Sequence, residues 1–183
     1  MPQIQSAENF VKEQYLSKIK NDGTIHQEYL AAVVARLKNL GITDDDVLSA
    51  AWLHDTIDNA IISFDELDKR FSSRVAVLVL SISKDQNIPR SMQEEQYVKQ
   101  LKESPIEAKL IKLCGISANL KDLKNSPFSK TRKTKELKKK LYYLNVIKTD
   151  LIKNKVQIPG IIGLVNGIND IVILYGLRPI VFQ

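Results

Sequence analysis

The chain has two histidines, His26 and His54, and the second is followed at once by an acid in the apolar setting Ala51-Trp52-Leu53-His54-Asp55. An adjacent histidine and aspartate can offer one nitrogen and one oxygen to a single divalent cation, but a tetrahedral or larger coordination shell needs more donors than that. The others would have to come from distant segments. Taken alone, the dipeptide is a weak signal, and a partly buried histidine satisfied by its neighbouring acid is commoner than a metal site. Cys114 is the sole cysteine, which excludes an intramolecular disulfide and a cysteine-rich zinc site.

The segments that must position these residues carry helical periodicity almost throughout. Val11, Tyr15 and Ile19 mark one face of a first helix, which the spacing ends near the Asn21-Asp22-Gly23 turn. Leu30, Val33, Leu37 and Leu40 form a second stripe, stopped by Gly41. Thr43 with Asp46 resembles a capping box that starts a third helix through Val47, Ala51 and His54, and Ser63 with Glu66 repeats the device. The apolar run Val75 to Ile82 is rich in β-branched residues and could be a buried strand; it is assigned as helix to agree with its surroundings. Pro105 opens a helix through Leu110 and Leu113. A loop over Lys124 to Thr134 precedes a long helix through Leu137, Leu141, Leu144 and Ile147, and a last helix covers Ile161 to Tyr175. The expected fold is an all-α helical bundle in one domain, residues 1–183. No fixed-period repeat and no glycine-rich strand–turn–helix is present, which argues against a dinucleotide-binding α/β fold.

A length of 183 residues with 44% hydrophobic and 26% charged residues suffices for one apolar core and excludes a wholly disordered chain. The longest apolar runs fall short of the roughly 20 residues that cross a bilayer, so no membrane association is expected. Residues 1–8 lack the basic-then-apolar pattern of a secretory signal, which points to the cytoplasm. The formal charge is +6, yet residues 121–140 alone hold nine basic and two acidic side chains, a local +7. The remainder is near neutral. That run reads as the solvated end of a helix or as a polyanion-facing patch, and nucleic acid is not the expected partner.

Four stretches carry a resemblance to a known family: Gly41-Ile42-Thr43, Ala50 through Asp58, Ala108-Lys109-Leu110-Ile111-Lys112-Leu113, and Asn119-Leu120-Lys121-Asp122-Leu123. In order and spacing the chain resembles the HD-domain hydrolases of the RelA/SpoT type, and among them the small stand-alone SpoT homologues. The likeness is strongest over residues 5–150, leaving 151–183 as a C-terminal helix and apolar tail. It implies an all-helical HD-domain bundle that holds Mn²⁺ or a similar ion and removes the 3′-pyrophosphate from guanosine polyphosphates such as ppGpp. Removal of phosphate from NADPH is attributed to some stand-alone members.

Carried over residue by residue, the resemblance implies four metal ligands, of which His54 and Asp55 are matched. The position of the first histidine holds Tyr29, whose phenol has an ordinary pKa of about 10 and is a poor ligand at neutral pH. The distant aspartate is replaced by Gly115, which has no donor. The acidic pair that serves acid–base work reads Asp58-Asn59. His26 or Glu28 could reach the site only through a remodelled turn, Asp122 lies about 10 Å beyond Gly115 along a helix, and Cys114 is expected to fill core space. Lys112 and Asn119 match nucleotide-pocket positions, and Lys12, Lys18 and Lys20 fall where basic residues meet phosphates. The reading is a weak or inactive hydrolase without a resident cofactor, still able to bind a guanosine polyphosphate or related nucleotide. One alternative is an active ppGpp or NADPH phosphohydrolase with a rebuilt Mn²⁺ site. Another is a non-catalytic interaction protein that uses the 121–140 patch and packs the apolar tail, Ile161 to Phe182, on a partner subunit. Homo-oligomerisation is left open.

Overall fold

The computed structural model describes residues 3–18 and 23–182, apart from the side chains of residues 16–18 and 23–25. The described residues form nine helices and no strand: α1 (Gln3–Lys18), α2 (Gly23–Asn39), α3 (Asp45–Leu53), α4 (Phe64–Arg70), α5 (Ser73–Ser81), α6 (Arg90–Glu103), α7 (Ile106–Asn125), α8 (Lys130–Asn154) and α9 (Gly160–Leu174). The all-α expectation holds, including for the β-branched run, which forms α5. Val75, Ala76, Leu78 and Val79 are buried there, because a nine-residue helix capped by the Ser72 hydroxyl turns one apolar face to α3 and α4.

Helix α7 is the axis of the bundle. It packs on α2, α3, α5, α8 and α9, and ten of its twenty residues are buried. A helix apolar on nearly every side belongs in the interior. One polar member, Lys109, is almost fully buried; its ammonium binds the Asp150 carboxylate of α8 and donates to the Lys102 carbonyl at 2.8 Å. An ion pair in that setting is held by its remaining hydrogen bonds as much as by charge.

Two boundaries differ from the sequence expectation. The cap of α3 is Asp44 and not Thr43: its Oδ1 accepts from the Asp46 and Val47 backbone N–H groups at 2.9 and 3.2 Å. Its second oxygen takes the Arg74 guanidinium at 2.7 Å. The loop expected over Lys124 to Thr134 shrinks to Ser126–Ser129, because α7 continues to Asn125 and the Ser129 hydroxyl caps α8 by accepting from Arg132 N–H. Lysine is a good helix former, and a Ser cap is enough to start the helix in the basic run. The Ser63–Glu66 capping box is present in both directions, with bonds of 3.0 and 3.3 Å. Gly41 sits at φ +85°, the left-handed geometry that ends α2. The Asn21-Asp22 turn lies outside the described residues.

The apolar tail folds back onto its own chain. Ile161, Val165, Ile168 and Val172 of α9 are buried, with α7 as the helix they pack on. The Asn169 side chain brackets the backbone of Ile180, donating to its carbonyl at 2.9 Å and accepting from its N–H at 2.8 Å. No helix of the described residues is long and apolar enough to cross a membrane.

Candidate functional site

His54 closes α3 and Asp55 to Asn59 follow as turns. The cause is local: the Thr56 hydroxyl and backbone N–H both turn back to the Leu53 carbonyl, at 2.6 and 2.9 Å, so the chain leaves the helix just where the dyad stands. Ala60, at φ 52°, takes a left-handed conformation that costs an L-residue about 1–2 kcal/mol. That strain sits two residues from Asp58.

The His54 ring is oriented by a 2.7 Å contact between Nδ1 and the Ala51 carbonyl. A carbonyl only accepts, so Nδ1 carries a proton and Nε2 is the nitrogen turned toward the site. The Tyr29 hydroxyl lies 3.1 Å from that nitrogen and accepts a hydrogen bond from Asn119 Nδ2, also at 3.1 Å. The order is therefore Asn119 N–H to Tyr29 oxygen, Tyr29 O–H to His54 Nε2, and His54 Nδ1–H to Ala51. Burial, reinforced by the Asp55 charge, holds the Tyr29 phenol well above its ordinary pKa, so the hydroxyl keeps the proton it donates. Gly115 faces the same spot. A Cβ built there would lie 3.0 Å from the Tyr29 hydroxyl oxygen and 3.8 Å from His54 Nε2.

The four positions singled out in the sequence, Tyr29, His54, Asp55 and Gly115, thus come together from α2, the end of α3 and α7. His26 joins them. Its Nε2 lies 3.4 Å from Asp55 Oδ2, while Asp55 Oδ1 lies 3.2 Å from His54 Nε2. The His26 nitrogen is buried without a hydrogen-bond partner among the described residues. Burial lowers its pKa, against the opposing pull of Asp55. The ring is wedged between Tyr15, at 4.4 Å between centroids, and Tyr29, at 5.6 Å. Among the described residues, no group of three or more His, Cys, Asp or Glu is arranged to hold a metal ion. Glu28 is exposed.

Asp58 and Asn59 part company. Asp58 lines the cavity beside the dyad and accepts from the Lys84 backbone N–H at 2.7 Å. Burial raises its pKa, opposed by that hydrogen bond. Asn59 turns the other way and donates to the Tyr15 hydroxyl at 2.9 Å.

The cavity has a volume of about 280 Å³ and is open to solvent. Tyr29, His54, Asp55 and Asp58 line it together with four lysines, Lys84, Lys112, Lys139 and Lys140. Tyr97 and Tyr143 meet edge to face at 5.2 Å and form an aromatic floor between them. Lys112 Nζ lies 5.1 and 5.0 Å from these two ring centroids, and Lys84 Nζ lies 5.1 and 5.5 Å from them. Two ammonium groups thus share one π surface. Lys84 is also paired with Glu94 at 2.6 Å. Burial, then repulsion from Lys140, pushes the Lys112 ammonium down to about 8, with Asp55 and Asp58 opposing. Lys140 is lowered as well, again mainly by burial. Lys112 and Asn119 both line this cavity. Lys12 lies elsewhere, on α1, paired with Glu8 at 2.6 Å. The Lys18 side chain and Lys20 lie outside the described residues. The sequence reading missed Lys84, Lys139, Lys140 and both tyrosines as cavity residues. Lys139 and Lys140 were visible only as members of a long basic run, and Lys84 follows α5 at no diagnostic spacing. Cys114 and Trp52 are buried in the core.

Residues 7–144 match the family model described as HD domain. The chain belongs to the HD domain family. Among curated proteins it is similar to the guanosine-3′,5′-bis(diphosphate) 3′-pyrophosphohydrolase of Danio rerio, 34% identical over 118 residues, which is 63% of this chain and 66% of the relative. The Mus musculus protein of that name is 33% identical over 124 residues, 66% of this chain and 69% of the relative. The chain thus spans slightly under two thirds of the zebrafish HD protein. A solved structure described as a metazoan orthologue of SpoT that hydrolyses ppGpp superposes with a TM-score of 0.73 at 19% identity, covering 97% of this chain and 98% of that one. At that identity the likeness concerns the fold.

Proposed function

We propose that the cavity beside His54 and Asp55 binds a phosphorylated nucleotide of the guanosine-polyphosphate class and that the chain hydrolyses it weakly or not at all. The observation that carries this reading is a juxtaposition within one cavity: a tyrosine hydrogen-bonded to the His54 nitrogen and four lysines all line it. Lysine ammonium groups over an aromatic floor recognise phosphate oxygens by charge-assisted hydrogen bonds. The relatives' named substrate, a guanosine bis(diphosphate), has the chemistry such a cavity suits.

The residues at the four ligand positions do not fit a resident divalent cation. Such an ion needs the His54 Nε2 lone pair, which the Tyr29 O–H takes, and a carboxylate at 115, where glycine stands. Asn59 can neither take nor hold a proton and is engaged with Tyr15. We therefore assign no catalytic step to a metal here. Asp58 remains as an acid–base group but is shared with the Lys84 backbone, and water activation by it alone is weak.

A second reading is favoured by His26. Its unpartnered buried nitrogen beside Asp55 Oδ2 is a donor that could stand in for the one missing at position 29. The two readings separate on the purified chain. Isothermal titration with Mn²⁺, ppGpp and NADPH is combined with a turnover assay for both nucleotides. Binding of nucleotide with no stoichiometric Mn²⁺ and no turnover supports the proposal. Stoichiometric Mn²⁺ and turnover, both abolished by His26→Ala, overturn it in favour of a rebuilt site. Absence of any nucleotide binding overturns both and leaves an interaction role. Recovery of Mn²⁺ binding in a Tyr29→His, Gly115→Asp, Asn59→Asp variant would further support loss of ligands as the cause.

A further inference from the structure

Two lysines one turn apart on α7 are satisfied in opposite ways. The almost fully buried ammonium of Lys109 is bonded to the Asp150 carboxylate and donates to the Lys102 carbonyl. Lys112 lines the cavity beside the dyad with no ion pair and no hydrogen-bond acceptor among the described residues. Its near neighbours are the Tyr97 and Tyr143 rings, 5.1 and 5.0 Å from Nζ, and those rings already carry the Lys84 ammonium. Lys84 has Glu94 at 2.6 Å, Lys140 has Glu136 one turn before it on α8, and Lys139 is exposed. Lys112 thus meets π faces and like charges, while Asp55 and Asp58 favour its ammonium only from beyond ion-pair distance. Burial, then repulsion from Lys140, lowers it to about 8. Desolvation and a neighbouring cation are the two conditions that turn a lysine into a nucleophile toward a carbonyl carbon.

We propose that Lys112 is a covalent capture site whose Nζ forms a reversible imine with an aldehyde that carries a phosphate group. The phosphate follows from the company Lys112 keeps: Lys84, Lys139 and Lys140 line the same cavity and offer charged donors to phosphate oxygens. The step balances without a co-reactant. The neutral amine gives its lone pair to the carbonyl carbon, and the C–O π pair takes a proton to leave a carbinolamine. Its hydroxyl then departs with a further proton as water, the nitrogen gives up its remaining N–H, and the C=N bond closes. One amine and one aldehyde yield one imine and one water. Asp58 lines the same cavity, and its carboxyl, raised in pKa by burial, is suited to pass those protons. The inference goes beyond the nucleotide reading and shares with it only the cationic cavity.

The test treats the full chain with limiting pyridoxal 5′-phosphate, a phosphorylated aldehyde whose imine is coloured, or with pyridoxal, which lacks the phosphate. Borohydride reduction then fixes the imine, and mass mapping of peptides locates it. At neutral pH an amine titrating near 8 is uncharged on the order of 100-fold more often than a surface lysine. Lys112 should therefore carry at least about 10-fold more label than any exposed lysine. With each rate referred to that aldehyde's reaction with Nα-acetyllysine, pyridoxal should label Lys112 at least about 10-fold more slowly, because it forgoes the charge-assisted bonds to phosphate. Lys112→Arg keeps a cation in the cavity and should abolish the dominant imine absorbance. Mapping of the parent chain needs no variant, so it decides the matter even where that substitution disturbs the fold. Label spread evenly over exposed lysines, or concentrated on Lys140, overturns the proposal. Equal referred rates for the two aldehydes at Lys112 overturn it as well. These results do not involve ppGpp, so the nucleotide reading stands or falls separately on its own titration.

Discussion

Replacing Tyr29 by phenylalanine removes one oxygen from the middle of a three-member hydrogen-bond chain, and its cost can be worked from the structure. The hydroxyl accepts from Asn119 and donates to His54, both at 3.1 Å. Each bond contributes about 1 kcal/mol net, and His54, only 7% exposed, would keep an unsatisfied Nε2. The total is about 2–3 kcal/mol, or about 5–10 °C in Tm for a chain of this length. The sharper measurement is the coupling to position 115. In the parent chain, Gly115→Ala gains about 1 kcal/mol of helix propensity but drives a Cβ to 3.0 Å from the Tyr29 oxygen, an overpacking penalty of about 1–3 kcal/mol. With phenylalanine at 29 the penalty goes and the propensity gain remains. The second substitution should then turn from destabilising or neutral to stabilising, a coupling of about 1–3 kcal/mol. Urea unfolding followed through the single tryptophan, Trp52, which is buried in the core, reads all four variants. Additivity within about 0.5 kcal/mol would refute the claim that hydroxyl and glycine occupy one shared space.

Three other outcomes are expected. Asp44→Ala should cost about 1 kcal/mol in thermal unfolding and Thr43→Ala next to nothing, because the α3 cap bonds run to Asp44. Lys112, mainly through burial, titrates near 8 when folded against 10.5 as its ordinary value. Between those pH values the unfolded chain binds more protons, so the stability of the parent should rise with pH relative to Lys112→Met, and the gap should be constant below about pH 8. Asp150 is held below 3.8, first by its bond to Lys109. Its stabilisation is complete above pH 3.8 and is lost as pH falls through the lower folded value, so Asp150→Asn should flatten the acid limb of the stability curve.

The helices were legible because each apolar face repeats at the helical period and most ends carry a chemical marker, such as the Ser63–Glu66 box or Gly41. The cap of α3 was misplaced by one residue because Thr43, Asp44, Asp45 and Asp46 form a run in which several side chains could accept. Only the three-dimensional position of Arg74 and of the two N–H groups selects Asp44. The convergence of positions 29, 54, 55 and 115 followed from the resemblance and not from spacing, since they lie on three separate segments. The roles of His26 and of the cavity lysines could not be read beforehand. His26 reaches Asp55 through a ring orientation set by Tyr15 and Tyr29. Lys139 and Lys140 differ from Lys135 and Lys138 only in which side of α8 faces α7.

The charges of the cavity connect its acids and its lysines. Asp55 and Asp58 are carboxylates in a partly buried space, and a carboxylate left there without a positive neighbour costs several kcal/mol. In this chain the compensating charge comes from lysines that line the same cavity: Asp55 and Asp58 both favour the charged form of Lys112, and Asp55 does so for Lys140. Burial still depresses both lysines, so the carboxylates offset their desolvation only in part. An incoming polyanion completes that compensation. It supplies acceptors to ammonium groups that the protein leaves under-neutralised, while Asp55 lies 3.2 Å from His54 Nε2 and 3.4 Å from His26 Nε2. On the proposed reading, phosphate affinity at this site depends on the lysines retaining their protons, and it should weaken as the pH rises through the titration of Lys112 near 8.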